Sequence, residues 1–173
     1  MDSRSLTLST MKINLAITLL LTLCAVAGCA QSPADSQASA ADRQAIAALR
    51  QQEMAHFSSG DVEGLLSLVT DDMVLMPPNE PALKGKEAAR RWSQNMLSQF
   101  KIEGTYTSSA DLTVAGDWAF ERLAFTLKLT PVAGGAAIEE VGKGFHIYRR
   151  QPDGFWKIHQ DIWNSDKPIA AVP

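Results

Sequence analysis

The stretch Gly144–Asp166 constrains this chain most. Two runs rich in aromatic and β-branched residues, Phe145–Arg150 and Phe155–Asn164, flank Gln151-Pro152-Asp153-Gly154. Proline presets φ and glycine accepts the left-handed position, so the tract predicts a turn and the runs predict a β-hairpin. The hairpin carries His146, His159, Trp156 and Trp163. Strict alternation along its second strand puts His159, Asp161 and Trp163 on one face, and Trp156, Ile158, Gln160 and Ile162 on the other. An imidazole, a carboxylate and an indole in a row predict the polar-aromatic wall of a pocket.

What precedes the hairpin changes period midway. From Asp42 to about Ser58, Ile46, Leu49, Glu53/Met54 and Phe57 recur at three- and four-residue steps, which predicts a helix with an apolar stripe. Gly60 ends it, and Asp61 caps a second helix, Val62–Val69. A short strand, Met73–Met76, stops at Pro77-Pro78, and Lys84-Gly85 leads into a third helix from Lys86 to about Ser98. Ile102–Ser109, Asp111–Val114, Trp118–Thr130 and Ala137–Tyr148 then read as strands, with turns at Ala115-Gly116-Asp117 and Gly134-Gly135. Helices first and a long antiparallel meander afterwards make an α+β arrangement. A curved sheet wrapped over the helices covers the apolar face of such long strands.

The N-terminus points to export. Lys12 precedes an apolar run from Leu15 to Ala27, too short for a comfortable membrane span, and small residues follow. Val26-Ala27-Gly28-Cys29 resembles the lipobox of bacterial lipoproteins, so residues 1–28 are expected to be a signal peptide and Cys29 the lipid-bearing residue. Residues 29–41, poor in aromatics, read as a flexible tether, 42–166 as the domain and 167–173 as a tail. Ala30, where inner-membrane retention is associated with aspartate, favours the outer membrane by resemblance to sorted lipoproteins. Removing Arg4, Lys12 and Asp2 with the signal leaves 14 basic against 18 acidic residues, net −4. No basic run argues for nucleic acid or an anionic membrane surface as partner. Cys24 leaves with the signal and Cys29 carries lipid, so no disulfide or cysteine metal site is expected.

Three segments carry a family resemblance. Ser59-Gly60-Asp61-Val62-Glu63-Gly64-Leu65-Leu66-Ser67-Leu68, Asp71-Asp72-Met73-Val74-Leu75-Met76-Pro77-Pro78 and Leu83-Lys84-Gly85-Lys86-Glu87-Ala88 look like the opening of the nuclear transport factor 2-like superfamily. The ending, from Arg149 through Trp156-Lys157-Ile158 to Asp161-Ile162-Trp163-Asn164-Ser165-Asp166, is similar to the branch grouped with the SnoaL-like and DUF4440 domains. The resemblance implies a cone of strongly bent antiparallel sheet, closed by three helices, with a pocket at its mouth, and frequent homodimers. Ketosteroid isomerase, cyclases and dehydratases share this scaffold with pocket proteins of no known chemistry, so fold does not fix function. In the isomerase the general-base aspartate falls where Pro77 stands, the helix-one tyrosine near Glu53, and the second aspartate near Phe145 or His146. None is reproduced, and steroid isomerisation is not expected.

The candidate site follows. If the last strand keeps the family's register, His159 and Asp161 form an acid–base pair, with Asp161 orienting the imidazole. The plain alternative makes Asp161 a cap or tether and His159 a core residue. His146, across the hairpin, joins the pocket unless a one-residue slip turns it outward. Trp163, Tyr148, Trp118, Glu121 and Met76 are the further ligand-binding candidates, with Met54, Met73 and Met96 beside Trp92 as adaptable apolar lining or ordinary core. Glu121 has an alternative as a surface partner of Arg122 or Lys143. Two histidines and an aspartate lack the HxH or HxxxH spacing of a metal site, and no metal or other cofactor is expected. Three functions remain open: a lipid-anchored binder of a small apolar or amphipathic molecule, a cofactor-independent isomerase, dehydratase or cyclase, and a structural module with a filled cone.

Overall fold

A computed structural model describes residues 39–107 and 111–167. The expected signal peptide, Cys29, nearly all of the tether and the tail beyond Lys167 lie outside the described residues.

Helix α1 spans Ala40–Ser59, starting where the Ser39 hydroxyl accepts from the Asp42 amide and ending at Gly60, whose φ of 72° completes a left-handed cap. Asp61 caps the short α2, Val62–Ser67, by accepting from the Gly64 amide. The chain then extends as β1, Val69–Met76, longer than the sequence predicts, and reaches α3, Lys86–Gln99, through β2, Leu83–Lys84. Five strands follow: β3 Phe100–Thr107, β4 Leu112–Ala115, β5 Trp118–Pro131, β6 Ile138–Arg150 and β7 Trp156–Ser165. The expected α+β cone is found.

The seven strands form one sheet in the order β2-β1-β7-β6-β5-β3, with β4 pairing the start of β5 beside β3. Pairing is antiparallel except between β1 and β7, which run parallel. The inner face of β5 buries Ala119, Glu121, Leu123 and Phe125, while the residues between them face outward. Ile46 and Leu49 of α1, Leu66 of α2 and Ala89 of α3 meet Met73, Leu75, Tyr148, Trp156 and Ile158 in the core beneath. Asp42 ties the start of α1 to the terminal hairpin, accepting from Arg150 Nη2 at 2.6 Å and Trp156 Nε1 at 3.0 Å.

One irregularity matters for everything below. Along β6 and β7, Ile147 lies opposite Gln160 but Tyr148 lies opposite Ile158, so His159 is an extra residue, a β-bulge. Before the bulge Trp156 and Ile158 point into the core. After it Asp161, Trp163 and Ser165 do. The strict alternation read from the sequence therefore fails at this point, and faces that alternation separates become one.

Candidate functional site

The register places three polar residues side by side across the inner face: Glu121 on β5 lies opposite His146 on β6, and His146 lies opposite Asp161 on β7. Cross-strand neighbours on one face are close enough to bond. His146 Nε2 stands 3.0 Å from Asp161 Oδ1, and its Nδ1 3.0 Å from the Tyr148 hydroxyl. Tyr148 donates to Glu121 Oε2 at 2.8 Å, and Arg50, reaching in from α1, donates to Glu121 Oε1 at 2.6 Å. The result is a continuous chain, Arg50–Glu121–Tyr148–His146–Asp161, whose three middle members are almost fully buried and whose two ends are partly so.

Glu53, one turn after Arg50 on α1, closes over this chain. Its ligand atom, that of His146 and that of Asp161 lie within 4.8 Å of one another. The residue is 6 % exposed, and its Oε2 has no hydrogen-bond partner. Burial drives the carboxyl pKa up from 4.5 to about 7; Asp161 adds to the rise, while His146, the Tyr106 hydroxyl and Arg50 oppose it. Burial alone would lower the His146 pKa, but the charge and hydrogen bond of Asp161, with Glu53 and Glu121 behind them, override it and hold the imidazole at about 9. A protonated ring is also what the geometry requires, since both nitrogens then donate, one to Asp161 and one to Tyr148.

This polar cluster forms the end of an otherwise apolar cavity of about 420 Å³. Met54 and Phe57 of α1, Met73 of β1, Trp92 of α3 and Trp163 of β7 are among its walls, with Trp92 and Trp163 in edge contact at 5.4 Å between ring centroids. Exposed Asn79 and Glu80 border it where it meets solvent.

Residues 51–159 match the model of the SnoaL-like domain. The chain belongs to the SnoaL-like domain family, within the nuclear transport factor 2-like superfamily. Solved structures resemble this SnoaL-like domain closely. A conserved protein from Planctomyces limnophilus is 28 % identical with a TM-score of 0.67, covering 72 % of this chain and 98 % of its own. A ketosteroid isomerase-like protein from Erwinia carotovora atroseptica is 23 % identical with a TM-score of 0.66, over 72 % and 96 %. A nuclear transport factor 2-like protein with a cystatin-like fold from Novosphingobium aromaticivorans is 21 % identical with a TM-score of 0.62, over 98 % and 96 %. No curated protein matches.

Within the SnoaL-like scaffold the residues singled out in the sequence separate into three groups. His146, Asp161 and Trp163 line the cavity. Tyr148 and Glu121 are buried behind the wall and reach the cavity only through His146; the surface alternative for Glu121 is replaced, because Arg122 pairs with Asp111 and Lys143 with Asp166. His159, Trp118 and Met76 do not belong to the pocket. The bulge sends His159 outward, where its Nδ1 lies 3.1 Å from Thr70 Oγ1 and 3.6 Å from Asp72, so the expected His159–Asp161 pair is corrected to His146–Asp161. Trp118 opens β5 on the outer face, 37 % exposed, edge-on to the His159 ring and under the Arg149 guanidinium. Met76 turns away on β1, and Met73 and Leu75 line the cavity instead. Arg50 and Glu53 are site residues that the sequence pattern does not single out. The available signal was a glutamate in the middle of the apolar stripe of the first helix, a position where an ionised side chain is expensive to bury without a purpose.

Proposed function

We propose that this protein is a small-molecule binder whose ligand lies in the cone, apolar body against the Met and Trp walls and polar end at Glu53. The observation that carries this reading is buried Glu53, its Oε2 without a hydrogen-bond partner, in the wall of a largely apolar cavity large enough for a small organic molecule. Solvent-excluded carboxylate oxygens are rarely left without a partner. A bound molecule supplies one. The test is extraction and mass spectrometry of whatever small molecule accompanies the purified protein, compared with Glu53→Gln and Trp163→Ala. A molecule retained by the native chain and reduced in both variants supports the reading; equal retention in all three refutes it.

A second reading is favoured by the carboxyl of Glu53, which titrates near neutrality beside a fixed imidazolium. Such a group suits proton transfer in an isomerase, dehydratase or cyclase without a cofactor. Incubation of the extracted molecule with the protein in D₂O distinguishes the two: deuterium incorporated at carbon supports catalysis, and none supports binding alone.

The location and assembly belong to the same proposal. The lipobox-like Val26–Cys29 supports lipid attachment at Cys29 and an outer-membrane anchor facing the periplasm, tested by fatty-acid labelling that Cys29→Ala abolishes. Val141 and Ile162, exposed on the outer face of the sheet with Phe145 opposite Ile162, support a homodimer, tested by light scattering.

A further inference from the structure

The polar part of the cavity presents mostly acceptors, its donors being largely committed. His146 commits one N–H to Asp161 and the other to Tyr148, and Tyr148 commits its own to Glu121. Arg50 bonds the far side of Glu121. The groups left beside His146 on the cavity wall are the carboxyls of Glu53 and Asp161 and the hydroxyl of Tyr106, which is itself drawn to Glu53; Ser93, Glu140 and Ser165 also line the cavity.

Charge is just as unbalanced. Arg50 offsets Glu121, and the imidazolium of His146 offsets Asp161. Glu53 forms no ion pair among the described residues, and its Oε2 has no hydrogen-bond partner. The groups facing it are Arg50 on its own helix, Tyr106 on β3, His146 on β6 and Asp161 on β7. Each cation among them already has a carboxylate in contact. A carboxylate head on a ligand would meet the charge of Asp161, a carbonyl could accept only from the protonated fraction of Glu53 or from the shared Tyr106 hydroxyl, and an alcohol brings a single neutral donor. An ammonium brings up to three donors and the missing positive charge.

We propose that the cone cavity selects an apolar amine, its ammonium held between Glu53 and Asp161 with Glu53 as counter-ion. This rests on the reading of the cavity as the ligand site. The proton balance is simple. An amine arriving as the free base takes the Glu53 proton, the O–H bond breaking as the N–H bond forms, with the electron pair left on the carboxylate. An amine arriving as ammonium finds part of the Glu53 population protonated and expels that proton to solvent. Trp163, two residues beyond Asp161 on the same face, sets apolar surface beside the charge.

The test uses three probes of one rigid shape, 1-adamantylamine, 1-adamantanol and adamantane-1-carboxylic acid, titrated calorimetrically into the full-length protein at pH 7. The expected order is amine tightest, by about tenfold over the alcohol, with the acid weakest. Amine binding should release about half a proton at pH 7, read from the dependence of heat on buffer ionisation enthalpy, because Glu53 titrates near that pH. The alcohol should release none. Glu53→Gln should bring the amine down to the affinity of the alcohol and abolish proton release. If that variant fails to fold, proton release in the native protein decides alone. An alcohol bound as tightly as the amine, or amine binding without proton release, overturns the inference and leaves the cavity reading standing. If none of the three binds, the cavity reading falls and the inference with it.

Discussion

Replacing Glu53 by glutamine should stabilise this protein, and only above mildly acidic pH. The carboxyl pKa is about 7 in the folded protein against 4.5 for an ordinary glutamate. Because the folded value is the higher, both states are protonated below about pH 4.5 and the group contributes nothing there. As pH rises from 4.5 to 7 the unfolded chain ionises while the native site holds its proton, and stability falls. Above 7 the full penalty is present, about 3 kcal/mol at 1.36 kcal/mol per tenfold change in proton affinity. Glu53 is 6 % exposed, so solvent does little to reduce it. Glutamine copies the protonated shape and escapes the penalty. Urea unfolding of both proteins between pH 4.5 and 7.5 should show their difference in stability growing by about 3 kcal/mol in favour of the variant. His146 titrates in both, so the difference isolates Glu53 to first approximation. A difference that stays flat, or that shifts toward the wild type as pH rises, would refute the account of Glu53 as a carboxyl whose desolvation is only partly compensated.

Other expectations follow from the same network. The His146 pKa is raised from 6.5 to about 9, so the stability it contributes is complete below 6.5 and is lost as pH rises through 9; His146→Gln should flatten the fall in urea stability over that window. Glu121→Leu strands the Arg50 guanidinium and leaves the Tyr148 hydroxyl without its acceptor, at a cost of about 3–5 kcal/mol, much of it recovered in the Arg50→Met/Glu121→Leu double variant. His159→Ala removes one of the partners of buried Thr70, Asp72 being the other, and should cost about 1 kcal/mol in a melt, yet leave probe affinity in the cavity unchanged. Gly142→Ala would put a methyl 2.3 Å from Phe125 Cζ and 2.4 Å from the Asn164 carbonyl oxygen, and should lower stability by about 1–3 kcal/mol.

The architecture was legible in the sequence because it rests on periodicity and turn chemistry, both local. Gly60, Asp61 and the Pro-Asp-Gly turn mark boundaries that the structure keeps. The site was legible only in part. Asp161, His146 and Trp163 were found because a polar or aromatic residue in a strand pattern stands out. His159 was misplaced because alternation assumes an unbroken ladder, and nothing in Lys157–Gln160 announces an inserted residue. Trp118 and Met76 were misassigned for a related reason: which face of a strand turns inward depends on its partners, and those are distant in sequence. Glu53 and Arg50 do not stand out because a helical stripe signals what it buries, not what interrupts it. Their role exists only once α1 lies across a row contributed by β5, β6 and β7, a relation no local pattern encodes.

The extra residue at position 159 also divides the labour of the last strand. Upstream, Trp156 and Ile158 are locked into the hydrophobic interior and leave little freedom for change. Downstream, the same backbone presents Asp161, Trp163 and Ser165 to the hollow, where substitution alters what fits. Deleting one residue there would swing the downstream half through a half-turn, carrying the acid and the indole to the outside while the upstream half stayed put. Ten consecutive residues thus serve both the hydrophobic interior and the wall of the hollow.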